Sequence, residues 1–228
     1  MIIPALNEAG NIHQLVDEVR LAASVDVIVV DNDSTDTTAQ EARDAGAQVI
    51  REPRRGYGYA CAAGALAAAQ ADILVFLDGD HSFSPADLPL LLSPLLEGRA
   101  DFVLGSRVLG RIAPGSMPPH QRFGNWLVSH LMHVLYRLSI TDLGPYRAIQ
   151  RQLLMELDMK EMTYGWPTEM IVKGARRGAR ILEVPVGYRN RRFGTSKVSG
   201  TVRGSILATW FILGITFRYA WKIRDWGG

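Results

Sequence analysis

The apolar run Ile73-Leu74-Val75-Phe76-Leu77 leads without a break into Asp78-Gly79-Asp80. This junction constrains the chain more than any other stretch. Five apolar residues, rich in β-branched and aromatic side chains and closed by a turn, read as a fully buried strand. Open α/β sheets bind ligands at the carboxyl ends of their strands, so two carboxylates one residue apart arrive where a ligand would sit. A hard divalent cation such as Mg2+ or Mn2+ takes one or two protein carboxylates and fills its remaining positions with water and substrate phosphate oxygens. A solvated turn with capping acids would use the same residues, so the rest of the chain has to decide.

The first half alternates in the manner of an α/β protein. Residues 2–3, 25–30, 48–50, 73–77 and 102–105 read as strands, and 11–22, 59–69 and 87–97 read as helices. This predicts a parallel or mostly parallel, Rossmann-like sheet flanked by helices on both faces. The first strand is short for a central strand and stands at the chain start, which suggests a natural reading frame beginning a few residues upstream. The glycine-rich stretch 54–64 invites a dinucleotide-binding reading. However, it follows only a short strand, Cys61 takes the third small position, and no Walker lysine pattern appears. It reads instead as a loop and helix start, with its amides and Arg55 near a nucleotide. The single Cys61 excludes an internal disulfide and a thiolate metal site. A net charge of +2 is too small to argue for a nucleic-acid partner. With no signal-peptide pattern, a cytosolic chain is expected. His120, His130 and His133 form no metal set with an acid at useful spacing.

The ordered series IIPALNE, VIVVDNDSTDTT, LVFLDGDHSFSP, LGSR, GPYRAI, YGWPTEM and EVPVGYRNRRFGTSK covers nearly the whole chain. In that order it resembles a family 2 glycosyltransferase of the GT-A fold, nearest to the dolichol-phosphate mannosyltransferase-like branch. The resemblance implies that Pro4, Leu6, Glu8, Val30, Asp31 and Asn32 hold the nucleoside of a nucleoside diphosphate sugar. Asn32 departs from the pattern, because many relatives carry Asp there and an amide both donates and accepts. Asp78 and Asp80, with Gly79 between them, would hold Mg2+ or Mn2+ on the donor diphosphate, with Ser82 as a further oxygen. The metal would neutralise charge building on the leaving nucleoside diphosphate. Arg191 and Lys197 match the family's basic loop, expected to be mobile over residues 189–199 until it closes over the diphosphate.

The acceptor divides two mechanisms. A sugar hydroxyl needs a general base, and Glu169 in YGWPTEM is the candidate. A polyprenyl phosphate is already ionised; Glu169 would then only orient substrate, while Arg107 and Arg122 grip the acceptor phosphate. Glu169 as a helix N-terminal carboxylate and Arg122 as a surface arginine are the plainer alternatives, and Trp166 is either a sugar platform or core. Residues 126–136 and 206–217 are apolar, and the second run is shorter than the roughly twenty residues of a spanning helix. Its flanking Arg203, Trp210, Arg218, Tyr219, Trp221, Lys222, Arg224 and Trp226 suit an interfacial helix, and packing on the core or a partner is the alternative. The expectation is a GT-A domain over 1–200 and a C-terminal apolar helix over 201–228, peripheral at the cytoplasmic membrane face. Its reaction would be an inverting, metal-dependent transfer of a hexose from GDP-mannose or UDP-glucose to a polyprenyl phosphate. Transfer to a hydroxyl and a non-catalytic sugar-nucleotide-binding subunit are the alternatives.

Overall fold

The computed structural model describes residues 1–193 and 202–221, the side chains of 202–209 and 221 excepted. Seven strands form one sheet in the order β3-β2-β1-β4-β6-β5-β7. They are β1 (Ile2–Ala5), β2 (Ile28–Asp31), β3 (Gln48–Arg51), β4 (Ile73–Phe76), β5 (Phe102–Ser106), β6 (Arg147–Gln150) and β7 (Ile181–Pro185). The first five stand where the apolar runs place them. The other two were not legible, since Arg-Ala-Ile-Gln carries no apolar run and Ile-Leu-Glu-Val-Pro mixes an acid and a proline into its alternation. The sheet is parallel except at β6, which runs antiparallel to both β4 and β5.

Successive residues of a strand face opposite sides, and the core divides accordingly. Ile3, Val29, Val75 and Val103 pack beneath α1 (Ala9–Ala22), α2 (Thr38–Asp44) and α4 (Leu88–Leu96). Ile2, Val30, Leu74, Phe76 and Leu104 meet α3 (Tyr57–Ala67), α5 (Pro119–Tyr136), α6 (Arg151–Glu156) and α7 (Trp166–Arg176). Helix α3 lies so close to the sheet that a Cβ at Gly64 would stand 2.4 Å from Ile2 Cγ2. A glycine there is a packing requirement.

The C-terminal run forms α8 (Val202–Trp221), packed on α5 and α7. Ile215 and Thr216 are buried, and the Tyr136 hydroxyl donates to the Thr216 carbonyl at 2.5 Å. The opposite side leaves Trp210 76% exposed and Phe217 exposed. The packing expectation for this segment therefore holds on one face, and the other face is left to solvent. Helix α5 likewise exposes Phe123, Trp126 and Val134, the two aromatic rings 5.8 Å apart. Among the described residues no helix is long and apolar enough to cross a membrane. Lys222, Arg224 and Trp226 lie outside the described residues, as do the side chains of Arg203 and Trp221.

Candidate active site

The register sets Phe76 and Leu104 opposite Arg147, and Ser106 opposite Pro185. The carboxyl ends of the parallel strands and the entry of β6 therefore share one edge of the sheet. A cavity of about 330 Å³ opens there, and Asp78, Asp80, Ser82, Arg107, Tyr188 and Arg191 are among its lining residues.

The acid pair is held firmly. Asp80 is buried, and its Oδ1 accepts the Ser82 backbone N–H at 3.0 Å and the Ser82 hydroxyl at 2.6 Å. Its Oδ2 meets Arg191 Nη2 at 2.8 Å. Ser82 thus orients Asp80 while itself lining the cavity. Asp78 Oδ1 is buried with no hydrogen-bond partner. Burial, and next the charge of Asp80, push the Asp78 carboxyl up to about 7, against the opposing pull of Tyr57, Arg191 and Arg147. An orphaned carboxylate oxygen beside a second carboxylate is a deficit of positive charge, and the pair fits a hard divalent cation. Among the described residues no group of three or more His, Cys, Asp or Glu could hold a metal, so water and substrate oxygens would fill the remaining positions. The turn between the acids is pressed onto β1, where a Cβ on Gly79 would lie 3.2 Å from the Pro4 carbonyl oxygen.

On the β1–β3 side the structure revises several expected nucleoside contacts. The Asn32 amide donates to the carbonyls of Glu52 and Arg54 at 3.0 and 2.7 Å and accepts from Gly56 N–H at 2.9 Å. It clamps two loops together with both of its functions in use. The Val30 side chain lies in the core against α3. Asp31 is buried and accepts the Ser34 N–H at 3.0 Å. Pro4 and Leu6 remain half-buried at the end of β1. The Glu8 carboxylate accepts from Asn11 at 2.8 Å and meets Arg191 at 3.4 Å. Arg191 therefore bridges Glu8 and Asp80, as a cationic loop at the acid pair should. Arg55 pairs with Asp33 at 3.3 Å. Lys197 and the remainder of that loop to residue 199 lie outside the described residues.

On the β5–β7 side Arg107 lines the cavity, pinned by a residue that sequence reading missed. Its Nε and Nη2 donate to the two oxygens of fully buried Asp142, both at 2.7 Å, and the guanidinium lies 5.1 Å from the Tyr188 ring centroid. Asp142 is itself set by Glu183, which accepts the backbone N–H groups of Thr141 and Asp142 at 2.8 and 3.0 Å. Arg122 is exposed, donates to the Met117 carbonyl, and lines a neighbouring groove of about 650 Å³ that shares Met117 and Asn125 with the acid cavity.

Glu169 is not brought to the acids. It is fully buried and does not line the cavity; it accepts the N–H groups of Lys160 and Glu161 at 2.9 and 2.8 Å, the Tyr219 hydroxyl at 2.5 Å and Lys173 Nζ at 2.8 Å. Burial alone would raise its pKa, but the bonds from Lys173, Tyr219 and the two amides outweigh it and hold the carboxyl below its ordinary value. A carboxylate so occupied ties α7 to α8 and is poorly placed to take a proton from substrate. Trp166 beside it is buried in the core. His120 and Gln121, unassigned from sequence, do line the cavity. The signal for that face was the spacing Gln121, Gly124, Asn125, Val128, one side of a helix.

The mixed sheet with its acid pair at the strand ends is a GT-A fold, and the protein is a glycosyltransferase. The chain belongs to glycosyl transferase family 2, whose model matches residues 1–158. It is 39% identical to an uncharacterized glycosyltransferase of Mycobacterium tuberculosis over 91% of this chain and 93% of that protein. An undecaprenyl-phosphate mannosyltransferase of Micrococcus luteus is 32% identical over 96% of this chain and 94% of its own. A dolichyl-phosphate hexose transferase of Haloferax volcanii is 34% identical, over 73% of this chain and 71% of its own. In fold it is similar to glucosyl-3-phosphoglycerate synthase of M. tuberculosis, solved with Mn2+, UDP and phosphoglyceric acid. That likeness has a TM-score of 0.75 and 24% identity, over 99% of this chain and 79% of the other.

Proposed function

We propose that this glycosyltransferase moves one hexose, with inversion, from GDP-mannose or UDP-glucose to a polyprenyl phosphate at a membrane surface. One observation carries the choice of acceptor: among the described residues the only carboxylates lining the cavity are Asp78 and Asp80, while the acceptor side presents Arg107. A phosphate acceptor needs cations and no base. The names of the Micrococcus and Haloferax relatives support the reading. The metal and nucleotide bound by the fold neighbour agree with the chemistry of the acid pair.

Asp78 and Asp80 would hold Mg2+ or Mn2+, which when bound neutralises charge on the departing nucleoside diphosphate. Glu8, Pro4 and Leu6 edge the nucleoside end. An acceptor phosphate oxygen attacks the anomeric carbon from the face opposite the diphosphate. The new C–O bond forms as the bond to the nucleoside diphosphate breaks, and that anion leaves toward Arg191. Arg107, fixed by Asp142, and Arg122 at the groove hold the acceptor phosphate. The exposed aromatic side chains of α5 and α8 face the bilayer interface.

Incubation with each donor, Mn2+ and undecaprenyl phosphate is expected to give a product whose sugar is released by mild acid. An acid-stable glycoside would overturn the reading and point to a hydroxyl acceptor with His120 as the base lining the cavity. Arg122→Ala should raise the acceptor KM about tenfold, for one lost charge-assisted contact worth about 1.5 kcal/mol. A second expectation concerns the Arg191 bridge, which must open for a cation and a diphosphate to enter. Amide exchange over residues 189–193 should slow on adding GDP or UDP with Mn2+; unchanged exchange would make the bridge a static contact.

A further inference from the structure

The motif GPYRAI contains the largest fully buried side chain among the described residues, Arg147, 1% exposed. Its guanidinium donates to four backbone carbonyls: Pro167 at 2.8 Å, Gly144 at 2.5 Å, Pro145 at 3.3 Å and Leu143 at 3.5 Å. Among the described residues its hydrogen-bond partners are all backbone carbonyls, and no carboxylate forms an ion pair with it. A buried cation without a paired anion is costly, so a charge elsewhere has to account for it. The strand register supplies the candidate. Arg147 stands opposite Phe76 across the β4–β6 pair, and Asp78, two residues beyond Phe76, falls on the same side of the sheet as its diagonal neighbour. Tyr57 and Cys61 of α3 pack on that same face of the sheet.

We propose that Arg147 is a positioning residue, a fixed countercharge behind Asp78 that lets two carboxylates stand one residue apart before a cation arrives. The same side chain holds the wall facing the acceptor, because Leu143, Pro145 and Pro167 line the cavity. The cation part of this inference rests on the proposed metal-dependent function; the pairing with Asp78 does not.

The test compares the wild type, Arg147→Met, Arg147→Lys and Asp78→Asn by thermal melting at pH 8, in EDTA and in MnCl2. In EDTA, Arg147→Met should melt roughly 5–10 °C below the wild type. Mn2+ should then raise its melting temperature more than it raises that of the wild type, since the ion supplies the missing charge. Arg147→Lys, which keeps the charge and loses the four-carbonyl fork, should show the wild-type response to Mn2+. Equal responses in all three would reduce Arg147 to a backbone staple and overturn the proposal. A wild type indifferent to Mn2+ would remove the metal reading alone. The double variant then decides in EDTA: Arg147→Met with Asp78→Asn should lose less than the sum of the two single changes, and strict additivity would overturn the pairing. Should Arg147→Met fail to fold alone, Asp78→Asn is expected to restore folding, and a double variant that stays unfolded would equally overturn it.

Discussion

Asp80→Asn is expected to cut hexose transfer by about a thousandfold or more, because a metal's stabilisation of the leaving group is worth several kcal/mol and each 1.36 kcal/mol is about tenfold in rate. The fold should survive. An asparagine oxygen can still accept both Ser82 bonds, and losing the Arg191 pair is offset by relief of repulsion with Asp78. The melting temperature should therefore stay within about 3 °C of the wild type, at roughly 2–4 °C per kcal/mol for a chain of this size. Nucleoside diphosphate release with donor and acceptor present is the measurement. Full turnover in both Asp78→Asn and Asp80→Asn would sink the metal assignment.

Glu169→Gln should do the opposite, sparing chemistry and weakening the fold. The glutamine presents an NH2 group where Glu169 now accepts, and it leaves the mostly buried Lys173 ammonium without its carboxylate. Breaking a buried pair on one side costs about 3–5 kcal/mol, or a melting shift of roughly 6–20 °C. Turnover measured well below that melting point should persist, because a phosphate acceptor brings no proton to remove. The pH dependence follows from the lowered carboxyl pKa. A depressed acid contributes fully above its unfolded value, near 4.5, and that contribution is lost as the pH falls through the lower folded value. The wild type and Glu169→Gln should thus converge in stability on acidification below about pH 4.5. A variant that melts like the wild type but does not turn over would restore Glu169 as the base.

Strands β1, β2, β4 and β5 could be read because each is an apolar run ended by turn-forming residues, β3 from the β-branched pair Val49-Ile50, and the acid pair because its strand delivers it to the ligand edge. What sequence did not carry was the use already made of each polar group. Asn32 and Glu169 have the chemistry of ligand contacts, yet in the folded chain backbone amides, carbonyls and neighbouring side chains saturate them. Val30 sits one residue before an acidic loop, but strand alternation turns it into the core. Asp142 and Arg147 were hidden for a related reason. Their partners, Arg107 and the Leu143–Pro145 carbonyls, meet them only once β6 has entered the sheet antiparallel between β4 and β5.

That reversed strand also separates two kinds of evolutionary freedom. A parallel strand offers its exit loop to the ligand edge, and β1, β2 and β4 do so on the side of the acid pair. Strand β6 offers its entry loop, so residues 141–146 precede their strand and reach the ligand edge from the direction opposite to the acid pair that follows β4. The seam between β4 and β6 is then a boundary between modules. On the proposed function, one side would read the activated sugar and the other what receives it, so a lineage would exchange acceptors by changing the second side alone.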